Sequence, residues 1–470
     1  MPPERHRPAT GAGPGGPPGG QEGWGTICDV PDIRPFRALR FDADAVGDLA
    51  AVISPPYDVI SPAQQAELAR RNPRNVVRLD LPLDAPGDEP ESKYRRAARD
   101  FAAWRSDGAL RKDRESSLYV YEQTYRVPGS DAERRQRGFF GRLRLEPLGE
   151  GILPHERTLS GPKEDRYRLL RATGVNFSPV VVLYRDSAGH AAAHAIERLA
   201  GGMPTTDVVA DDGVRHRLWQ VAANDPDLGP TLEALRATAA AAPVTIADGH
   251  HRYETALRYH DERHRDRAVC EEAPFDFLLA LFLAIDEPLT VLPTHRVVRG
   301  GASGDALVER AASLFDVEPV ESAGALAAAF RPGEGGAPAG ATGTGRFGLW
   351  TGGRGAILRA RRDAFEPLVD RSASECLRWL DVSLLAIALE RLAGLDRGAT
   401  TAGGRLEYTK DAAEAVAIVE RGDAHSAFLL DPTPVEAVLD VAAAGRLMPQ
   451  KSTYFYPKPA TGLVFHVPGG

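Results

Sequence analysis

The sequence predicts an α/β or α+β fold with mixed sheets. Short apolar runs that fit strands, such as residues 180–184 and 281–285, alternate along the chain with segments whose apolar residues follow the helical repeat. A helix start is marked at Ser61, because Pro62 takes the first helical position and Gln64 completes a capping box. Alternation of this kind is typical of sheets that are covered by helices.

The first 110 residues carry three further element signals. Residues 51–53 are apolar and end at a pair of prolines, which predicts a short strand. Residues 76–81 alternate between apolar and polar side chains and also predict a strand. Residues 93–106 place aromatic and alanine side chains near helical spacing, which predicts an amphipathic helix.

The rest of the chain continues the pattern. Residues 118–127 and 136–145 flank a polar turn and predict a hairpin. The apolar residues at 289–292 predict a strand that leads into a Pro-Thr-His-Arg sequence. Residues 377–393 predict a helix, and the segment MPQKSTYFYPK at 448–458 predicts a strand and turn near the C-terminus.

Length and composition divide the chain into three regions. The 470 residues are enough for two or three domains with a large core. Residues 1–26 are rich in Gly and Pro and lack an apolar core, which predicts a disordered tail and no signal peptide. Residues 27–300 form a first region. From about residue 300 Ala and Gly become more frequent, so residues 301–470 are predicted as a separate C-terminal α/β region.

Charge and cysteine content exclude several classes of protein. The formal net charge is -8, so no overall basic field attracts nucleic acid or an anionic membrane. The most apolar run, residues 275–285, is too short to span a bilayer. Cys28, Cys270 and Cys376 form no CxxC pair, which argues against a disulfide framework or a structural zinc site. A cytoplasmic location is the expectation.

The most informative segment is PVTIADGHHRYETAL, at residues 243–257, where a short strand turns directly into a helix. A helix N-terminus exposes unpaired backbone N–H groups and a partial positive charge, so it attracts anions. Imidazole and guanidinium groups add donors that suit phosphate. The side chains and backbone of this turn predict an anion site formed by Asp248, Gly249, His250, His251 and Arg252. Asp248 either caps the helix or holds a divalent cation.

A second strand end carries a carboxylate beside basic residues. Residues 151–156 end a predicted strand, which places Glu156 at the strand end, and the nearby Lys163 and Arg166 are predicted to bind phosphate. A carboxylate just past a strand end is a good candidate for a general base, because such ends face ligand clefts in α/β folds. The alternative is a surface ion pair with Arg157 or Lys163, which contributes little stability.

Further candidates lie at four other turns. Lys451 or Lys458 can approach phosphate, while the aromatic residues between them fit either base stacking or burial on one face of a strand. His295 and Arg296 follow an apolar strand and are predicted to line the same cleft. The candidates for substrate contact are Tyr57, Asp58, Asn75 and Arg78. For Tyr57 and Asp58 the alternative is that residues 55–58 are only a rigid turn before the helix. For the asparagines near residue 72 the alternative is that Asn72 and Pro73 simply end that helix.

The sequence contains no convincing match to the common metal-binding or nucleotide-binding motifs. His250, His251 and Glu254 do not follow the HExxH pattern, so zinc at that turn is not favoured. Mg²⁺ brought in with a nucleotide, through Asp248 or Glu156, is more plausible. Residues 343–348 match GxGxxG but precede a strand-like run, so we interpret the match as chance. The sequence contains no P-loop and no nucleophile elbow.

Six ordered motifs resemble a bacterial family catalogued as domain of unknown function number 1015, over about residues 33–467. They are IS-PPYDVIS, NPRNVVRL, ILPHERT-LSGPKEDR, ADGHHRYETAL, LPTHRVV and MPQKSTYFYPK. Some members of that family bear a label that relates them to the chromosome-partitioning protein ParB. The motif at Asp248–Arg252 is also similar to the phosphate-binding motif of the ParB/sulfiredoxin-like superfamily. That resemblance implies a ParB/sulfiredoxin-like nucleotide-binding core within residues 27–300.

Within that superfamily, the free L-serine kinases combine an IxPxE strand end with a DGHHR helix. Ile152 to Glu156 fits the first element and Asp248 to Arg252 fits the second. The resemblance implies that Glu156 acts as the base on a substrate hydroxyl and that Gly249, His250, His251 and Arg252 hold phosphates. This chain departs from the small kinases in spacing, since about 90 residues separate the two elements. A sulfiredoxin-type reaction needs a reactive cysteine, and Cys270 has an acidic setting that raises its pKa.

The leading functional hypothesis is a kinase that uses ATP or ADP with Mg²⁺ to phosphorylate a hydroxyl of serine or a related metabolite. Its partners are therefore a nucleotide and a small hydroxyl-bearing metabolite, with no nucleic acid and no membrane. The alternatives are a ParB-like protein that binds and hydrolyses nucleotide as a regulator, and a phosphohydrolase acting on a phosphorylated metabolite.

Overall fold

The computed structural model describes residues 30–158, 160–186, 189–267, 272–301, 304–331, 343–395 and 404–469. The predicted tail at 1–26, Cys28 and Cys270 lie outside these residues.

The strands are β1 (Ile33–Arg34), β2 (Leu39–Phe41), β3 (Leu110–Lys112), β4 (Ser117–Arg126), β5 (Glu133–Arg144), β6 (Ile152–Leu153), β7 (Val180–Tyr184), β8 (Thr206–Val209), β9 (Arg215–Ala222), β10 (Val244–Asp248), β11 (Phe277–Ala284), β12 (Thr290–Leu292), β13 (His295–Val298), β14 (Phe315–Val320), β15 (Arg346–Trp350), β16 (Gly355–Ala360), β17 (Leu406–Thr409), β18 (Ser426–Leu430) and β19 (Tyr454–Tyr456). The α-helices are α1 (Ala43–Val46), α2 (Pro62–Arg71), α3 (Val77–Asp80), α4 (Ser92–Ser106), α5 (Ser160–Thr173), α6 (Ala191–Leu199), α7 (Gly229–Ala239), α8 (His250–Arg267), α9 (Asp305–Ala311), α10 (Ala323–Ala329), α11 (Arg362–Phe365), α12 (Glu375–Trp379), α13 (Asp381–Ala393), α14 (Ala412–Glu420) and α15 (Val435–Ala443).

A mixed sheet organises the first half of the chain. Its order is β6-β10-β7-β11-β5-β4-β9-β8, with β1 also paired to β5. β10 runs parallel to β6 and antiparallel to β7, while β11 runs parallel to β7. β11 is apolar and buried along its whole length, as expected for a strand covered on both faces. The predicted class, α/β with mixed sheets, is confirmed.

The second half builds an antiparallel sheet, in the order β14-β16-β15-β18-β13-β17. The C-terminal segment then packs back against the first half of the chain. β19 pairs antiparallel with β12, and backbone bridges join Glu156 to Met448 and Ser54 to Thr461. The bridge from Glu156 to Met448 places the start of this segment just past the end of β6, where functional candidates lie.

Several local predictions are confirmed by the structure. Strands β4 and β5 form the predicted hairpin, α4 covers the predicted amphipathic helix, and β7 has the predicted bounds. The Ser61 hydroxyl accepts a hydrogen bond from the backbone N–H of Gln64 at 3.2 Å, as an N-cap should.

Two predicted strands are wrong. Residues 49–51 form a 3-10 turn, and residues 77–80 form helix α3. The buried side chain of Asn75 explains both, since its amide donates to the carbonyls of Ala51 and Ile53 at 2.9 and 3.1 Å. Its side-chain carbonyl accepts from the N–H of Val77, the first residue of α3, at 3.0 Å. Tertiary hydrogen bonds therefore override the alternating pattern.

The helix predicted at 377–393 is divided into α12 and α13. Leu380 between them is extended, with φ −62° and ψ 139°. The Asp381 carboxylate accepts from the backbone N–H groups of Thr344 and Gly345, at 3.1 and 2.8 Å. Because these donors belong to a distant segment, the break has no local sequence signal.

Buried histidines predict a pH-dependent stability. Burial lowers the pKa of His216 to about 4, that of His295 to about 3 and that of His466 to about 4. Each is neutral when folded but ionises near pH 6.5 when unfolded. Its stabilising contribution is therefore complete above pH 6.5 and is lost as the pH falls toward the folded-state pKa. We expect urea unfolding to show a free energy that declines below pH 6.5, by up to about 1.4 kcal/mol per pH unit for each histidine.

His216→Gln separates this effect from the titration of carboxylates. Between pH 6 and 5 the unfolding free energy of this variant is expected to fall less steeply with pH than that of the wild type, by the contribution of one histidine. His194→Gln, at an exposed position on α6, is expected to leave this pH dependence unchanged. Equal slopes in wild type and His216→Gln would contradict the assignment.

Among the described residues, no helix combines the length and apolar character needed to cross a bilayer.

Candidate functional site

The turn from β10 into α8 has the geometry that the sequence predicted. Gly249 has φ +94°, a conformation that side-chain-bearing residues rarely adopt, and α8 begins at the next residue. The first intrahelical backbone bond runs from the Tyr253 N–H to the Gly249 carbonyl, at 3.0 Å. The N–H groups before Tyr253 are therefore outside the helical ladder, which is the basis of anion binding at a helix start.

Asp248 lies between two cations. Its Oδ1 atom is 2.6 Å from Lys458 Nζ, and its Oδ2 atom is 2.5 Å from Arg252 Nη2. Lys458 Nζ also bonds Asp58 Oδ2 at 2.6 Å. Burial alone raises the pKa of Asp248, but Lys458 and Arg252 hold it well below its usual range. Burial likewise lowers the pKa of Lys458, but Asp248 and Asp58 raise it overall. Both groups are therefore charged.

Arg252 is anchored by two protein groups. Besides Asp248, its guanidinium donates to the backbone carbonyl of Pro179, in the loop before β7. Its hydrogen-bonding capacity is thus partly used inside the protein, and it fixes the orientation of the Asp248 carboxylate.

Gly249→Ala tests the importance of this turn. A Cβ atom at residue 249 meets Arg252 Nε at 3.0 Å and Cζ at 3.1 Å. The backbone strain alone is expected to lower the free energy of unfolding by about 1–3 kcal/mol. Gly422→Ala is the matched control, because Gly422 also has positive φ but open space around the added carbon. In urea unfolding we expect the larger loss in Gly249→Ala; equal losses would show that contact with Arg252 adds nothing.

His250 is neutral and held by its neighbour. The backbone N–H of His155 donates to His250 Nε2 at 3.3 Å, and the two rings lie 4.7 Å apart. Burial, followed by the charge of His155, lowers the pKa of His250 well below its usual value. Because Nε2 accepts, the neutral ring carries its proton on Nδ1 and offers a single donor. The sequence suggested two equivalent donor imidazoles, and the structure distinguishes them.

Glu156 lies at the tip of β6, the strand next to β10. The two strands are parallel, with Val244 opposite Ile152, so both chains leave the sheet at the same edge. Glu156 Oε2 accepts from the backbone N–H of Ser452 at 3.2 Å. The adjacent residue His155 touches His250, which brings the two predicted elements together despite their separation in sequence.

Lys163 and His251 lie at the edge of this site. Lys163 forms an ion pair with Glu254, which also accepts from the Thr158 hydroxyl at 2.9 Å. His251 is half-buried, and burial lowers its pKa. The charges of Lys163 and Lys451 lower the pKa of His251 further, so both lysines act on this ring.

Asp58 contacts the site through Lys458, and Tyr57 lies against the buried Arg166. The Arg166 guanidinium lies 4.0 Å from the centre of the Tyr57 ring and 3.2 Å from Asp80 Oδ1. Arg166 and Asp80 are both buried. Burial raises the pKa of Tyr57 to about 12, so its hydroxyl stays protonated. Arg166 is therefore a partner of Asp80 rather than an exposed phosphate ligand.

Asn75 and Arg78 both bond to backbone groups away from the end of β10. Asn75 is fully buried and holds residues 51–53 as described above. Arg78 lies on α3, not on the predicted strand, and donates to the Ala69 carbonyl. The structure does not join either side chain to the end of β10.

His295 and Arg296 are buried on β13, in the second sheet. His295 Nδ1 accepts from the Leu430 N–H at 3.3 Å inside the second sheet. Arg296 Nη2 donates to the Lys451 carbonyl at 3.1 Å, and burial lowers the pKa of Arg296 to about 10. The Thr294 hydroxyl donates to the same carbonyl at 2.6 Å. These bonds hold the turn that presents the Ser452 N–H to Glu156.

The sequence offered Lys451 and Lys458 as alternatives for the phosphate site and gave His155 no role. In the structure the lysine that contacts Asp248 is Lys458, whose side chain is 9% exposed. His155 is fixed by the Ile246 carbonyl at Nδ1, 2.6 Å away, and by the Thr453 hydroxyl at Nε2, 3.0 Å away. The one available signal for Lys458 is its place in a run of aromatic and proline residues that suits burial.

The family model described as "Protein of unknown function (DUF1015)" matches residues 33–383. The chain belongs to this family. No curated protein matches the DUF1015 chain.

Among solved structures, the DUF1015 chain is similar to a conserved hypothetical protein from Pyrococcus furiosus, with 15% identity and a TM-score of 0.32, over 67% of this chain and 92% of that one. It is similar to a free serine kinase in complex with AMP, with 13% identity and a TM-score of 0.31, over 65% and 83%. It is also similar to a C-terminally truncated SbnI from Staphylococcus aureus, with 10% identity and a TM-score of 0.34, over 70% and 87%.

Proposed function

We propose that the chain is a nucleotide-dependent kinase that phosphorylates a hydroxyl of serine or a related small metabolite. The observation that carries the proposal is the meeting of two strand tips. β6 and β10 are parallel neighbours, so the Glu156 carboxylate and the start of α8 share one edge of the sheet. A carboxylate base beside a helix start is the pairing that phosphoryl transfer to a hydroxyl needs.

In this proposal the start of α8 binds the phosphates. Gly249 allows the backbone to approach the ligand closely, and the N–H groups of the first turn donate to phosphate oxygens. His250 donates through Nδ1, and half-buried His251 adds a second imidazole. Arg252 and Lys458 hold Asp248 and contribute positive charge. Lys163 and Lys451 supply charge from the rim.

Glu156 is the proposed base. It lies three residues past the end of β6, its backbone bridges Met448, and the Ser452 N–H donates to one of its carboxylate oxygens. Tyr57 and Asp58 approach the same edge through Lys458 and Arg166 and are the proposed substrate contacts. The proposed reaction transfers the terminal phosphoryl group of ATP or ADP to the hydroxyl, while Glu156 takes the hydroxyl proton.

Mg²⁺ is proposed to accompany the nucleotide. Both oxygens of Asp248 are already bonded to Lys458 and Arg252, so Asp248 does not fit the direct metal ligand that its position suggested. Mg²⁺ at kinase sites is held largely by phosphates and water, with one or two carboxylates. Asp58, whose side chain is 27% exposed, is the carboxylate here that fits this arrangement better. When bound, the ion neutralises charge on the transferred group.

The experiment is a product assay with the full chain. Purified protein is incubated with Mg²⁺, ATP or ADP, and a panel of hydroxyl-bearing metabolites that includes L-serine, and products are identified by mass spectrometry. The proposal predicts one phosphorylated metabolite whose formation matches nucleotide consumption. Nucleotide consumed equally with and without any acceptor would overturn it and favour a hydrolysing switch. A phosphohistidine intermediate is disfavoured at His250 Nε2, because that atom accepts from His155.

A further inference from the structure

A second cluster of ligand-type side chains lies near the far end of α8. His260 and His264 stand one turn apart on the same helix face, and Asp276 faces them from the 3-10 turn before β11. His264 Nε2 is 2.6 Å and His260 Nε2 is 3.4 Å from the same oxygen, Asp276 Oδ1. One ligand atom from each side chain lies within 4.8 Å of the other two.

The hydrogen bonds of His260 show that this cluster suits a cation. His260 Nδ1 lies 3.0 Å from Asp261 Oδ1, and a carboxylate only accepts, so Nδ1 carries the ring proton. The Nε2 lone pair of a neutral His260 then faces the Asp276 oxygen, and either a second ring proton or a metal cation between the two atoms makes this contact attractive. A carboxylate behind the second nitrogen is the arrangement that orients metal-binding histidines.

We propose that His260, His264 and Asp276 form a Zn²⁺ site. Zinc takes imidazole nitrogen and carboxylate oxygen at about 2.0–2.2 Å, which places tetrahedral ligand atoms about 3.3 Å apart. The 3.4 Å between His260 Nε2 and Asp276 Oδ1 is close to this value, whereas the 2.6 Å between His264 Nε2 and Asp276 Oδ1 is a hydrogen bond that widens when zinc binds. The side chains of His260 and His264 are 21% and 28% exposed, which leaves the fourth position open to water.

Asp276 is a suitable anchor for the ion. It is buried, and its other oxygen, Oδ2, accepts from the Ala273 N–H at 2.8 Å, so the carboxylate is fixed with Oδ1 facing the histidines. Bound zinc ties the last turns of α8 to the start of β11, a buried strand in the interior of the first sheet. The site lies 10 to 14 residues along α8 from His250, roughly 15–21 Å, and is independent of the proposed kinase function.

The test uses the full chain after removal of metal by a chelator. Co²⁺ is titrated as a spectroscopic probe, and Zn²⁺ is then added in competition. We expect one equivalent of Co²⁺ with tetrahedral absorption bands, displaced by Zn²⁺, and a higher melting temperature of the zinc-loaded protein. His264→Gln is expected to weaken binding at least about 10-fold.

Two other variants complete the test. His260→Gln removes the more weakly bonded ligand and serves if His264→Gln fails to fold. His194→Gln, at an exposed position on α6, is the matched control and should bind like the wild type. Absence of tetrahedral Co²⁺ binding in the wild type would overturn the proposal, as would unchanged affinity in the folded ligand variant.

Discussion

Replacement of Glu156 by Gln is expected to lower the rate of phosphoryl transfer by about 10²–10⁴-fold, the usual contribution of a general base. Nucleotide affinity should change little, because the proposed phosphate donors belong to α8. Gln keeps an oxygen that accepts from the Ser452 N–H, so the turn at residues 451–453 stays in place. Steady-state rates with saturating nucleotide and acceptor, together with the dissociation constant for ADP, measure the two effects separately.

Glu197→Gln is the matched control for that experiment. Glu197 is exposed on α6 and shares the chemistry of the substitution but not the location. The assignment of Glu156 as base is wrong if Glu156→Gln and Glu197→Gln turn over at similar rates. Loss of nucleotide binding in Glu156→Gln would instead place that carboxylate in the binding site.

Replacement of Lys458 by Met is expected to lower the free energy of unfolding by about 3–5 kcal/mol. Lys458 is 9% exposed and neutralises both Asp58 and Asp248, so its removal leaves two carboxylates without their shared cation. Breaking a buried ion pair by removing one partner is costly for this reason. Urea unfolding at neutral pH measures the change, and Lys112→Met, at an exposed position on β3, is the control.

A second substitution tests the origin of that loss. Asp58→Asn in the Lys458→Met background removes the charge of one of the two carboxylates that have lost Lys458, while Asp248 keeps its pair with Arg252, and partial recovery of stability is expected. A loss below about 1 kcal/mol in Lys458→Met, the range of an exposed ion pair, would show that Lys458 is not the buried partner of these carboxylates.

The parts of the site that depend on local sequence could be predicted. The turn at Asp248–Gly249 follows from a short strand, a residue that tolerates positive φ and a helical repeat, and the structure has it at that place. The mixed α/β class follows from the same kind of local signal. Helix α3 was missed because the hydrogen bonds of Asn75 to Ala51 and Ile53 outweigh the alternating pattern.

Contacts between distant segments could not be predicted from one sequence. Lys458 meets Asp248 across 210 positions, and Glu156 meets Ser452 across 296. The burial of a side chain, which also depends on distant segments, determines whether its group is charged. His250 looked like one of two donor imidazoles, yet its burial and the N–H of His155 keep it neutral with one donor. The sequence predicted Arg166 as a phosphate ligand, but in the structure it pairs with the buried Asp80.

The most direct test of the central claim is calorimetric titration of the full chain with ADP and Mg²⁺. The account predicts binding at a single site, with affinity retained in Glu156→Gln and weakened at least about tenfold in Gly249→Ala, about 1.4 kcal/mol. A wild-type protein that binds neither ADP nor ATP at roughly millimolar concentration, where binding is worth about 4 kcal/mol, would contradict it.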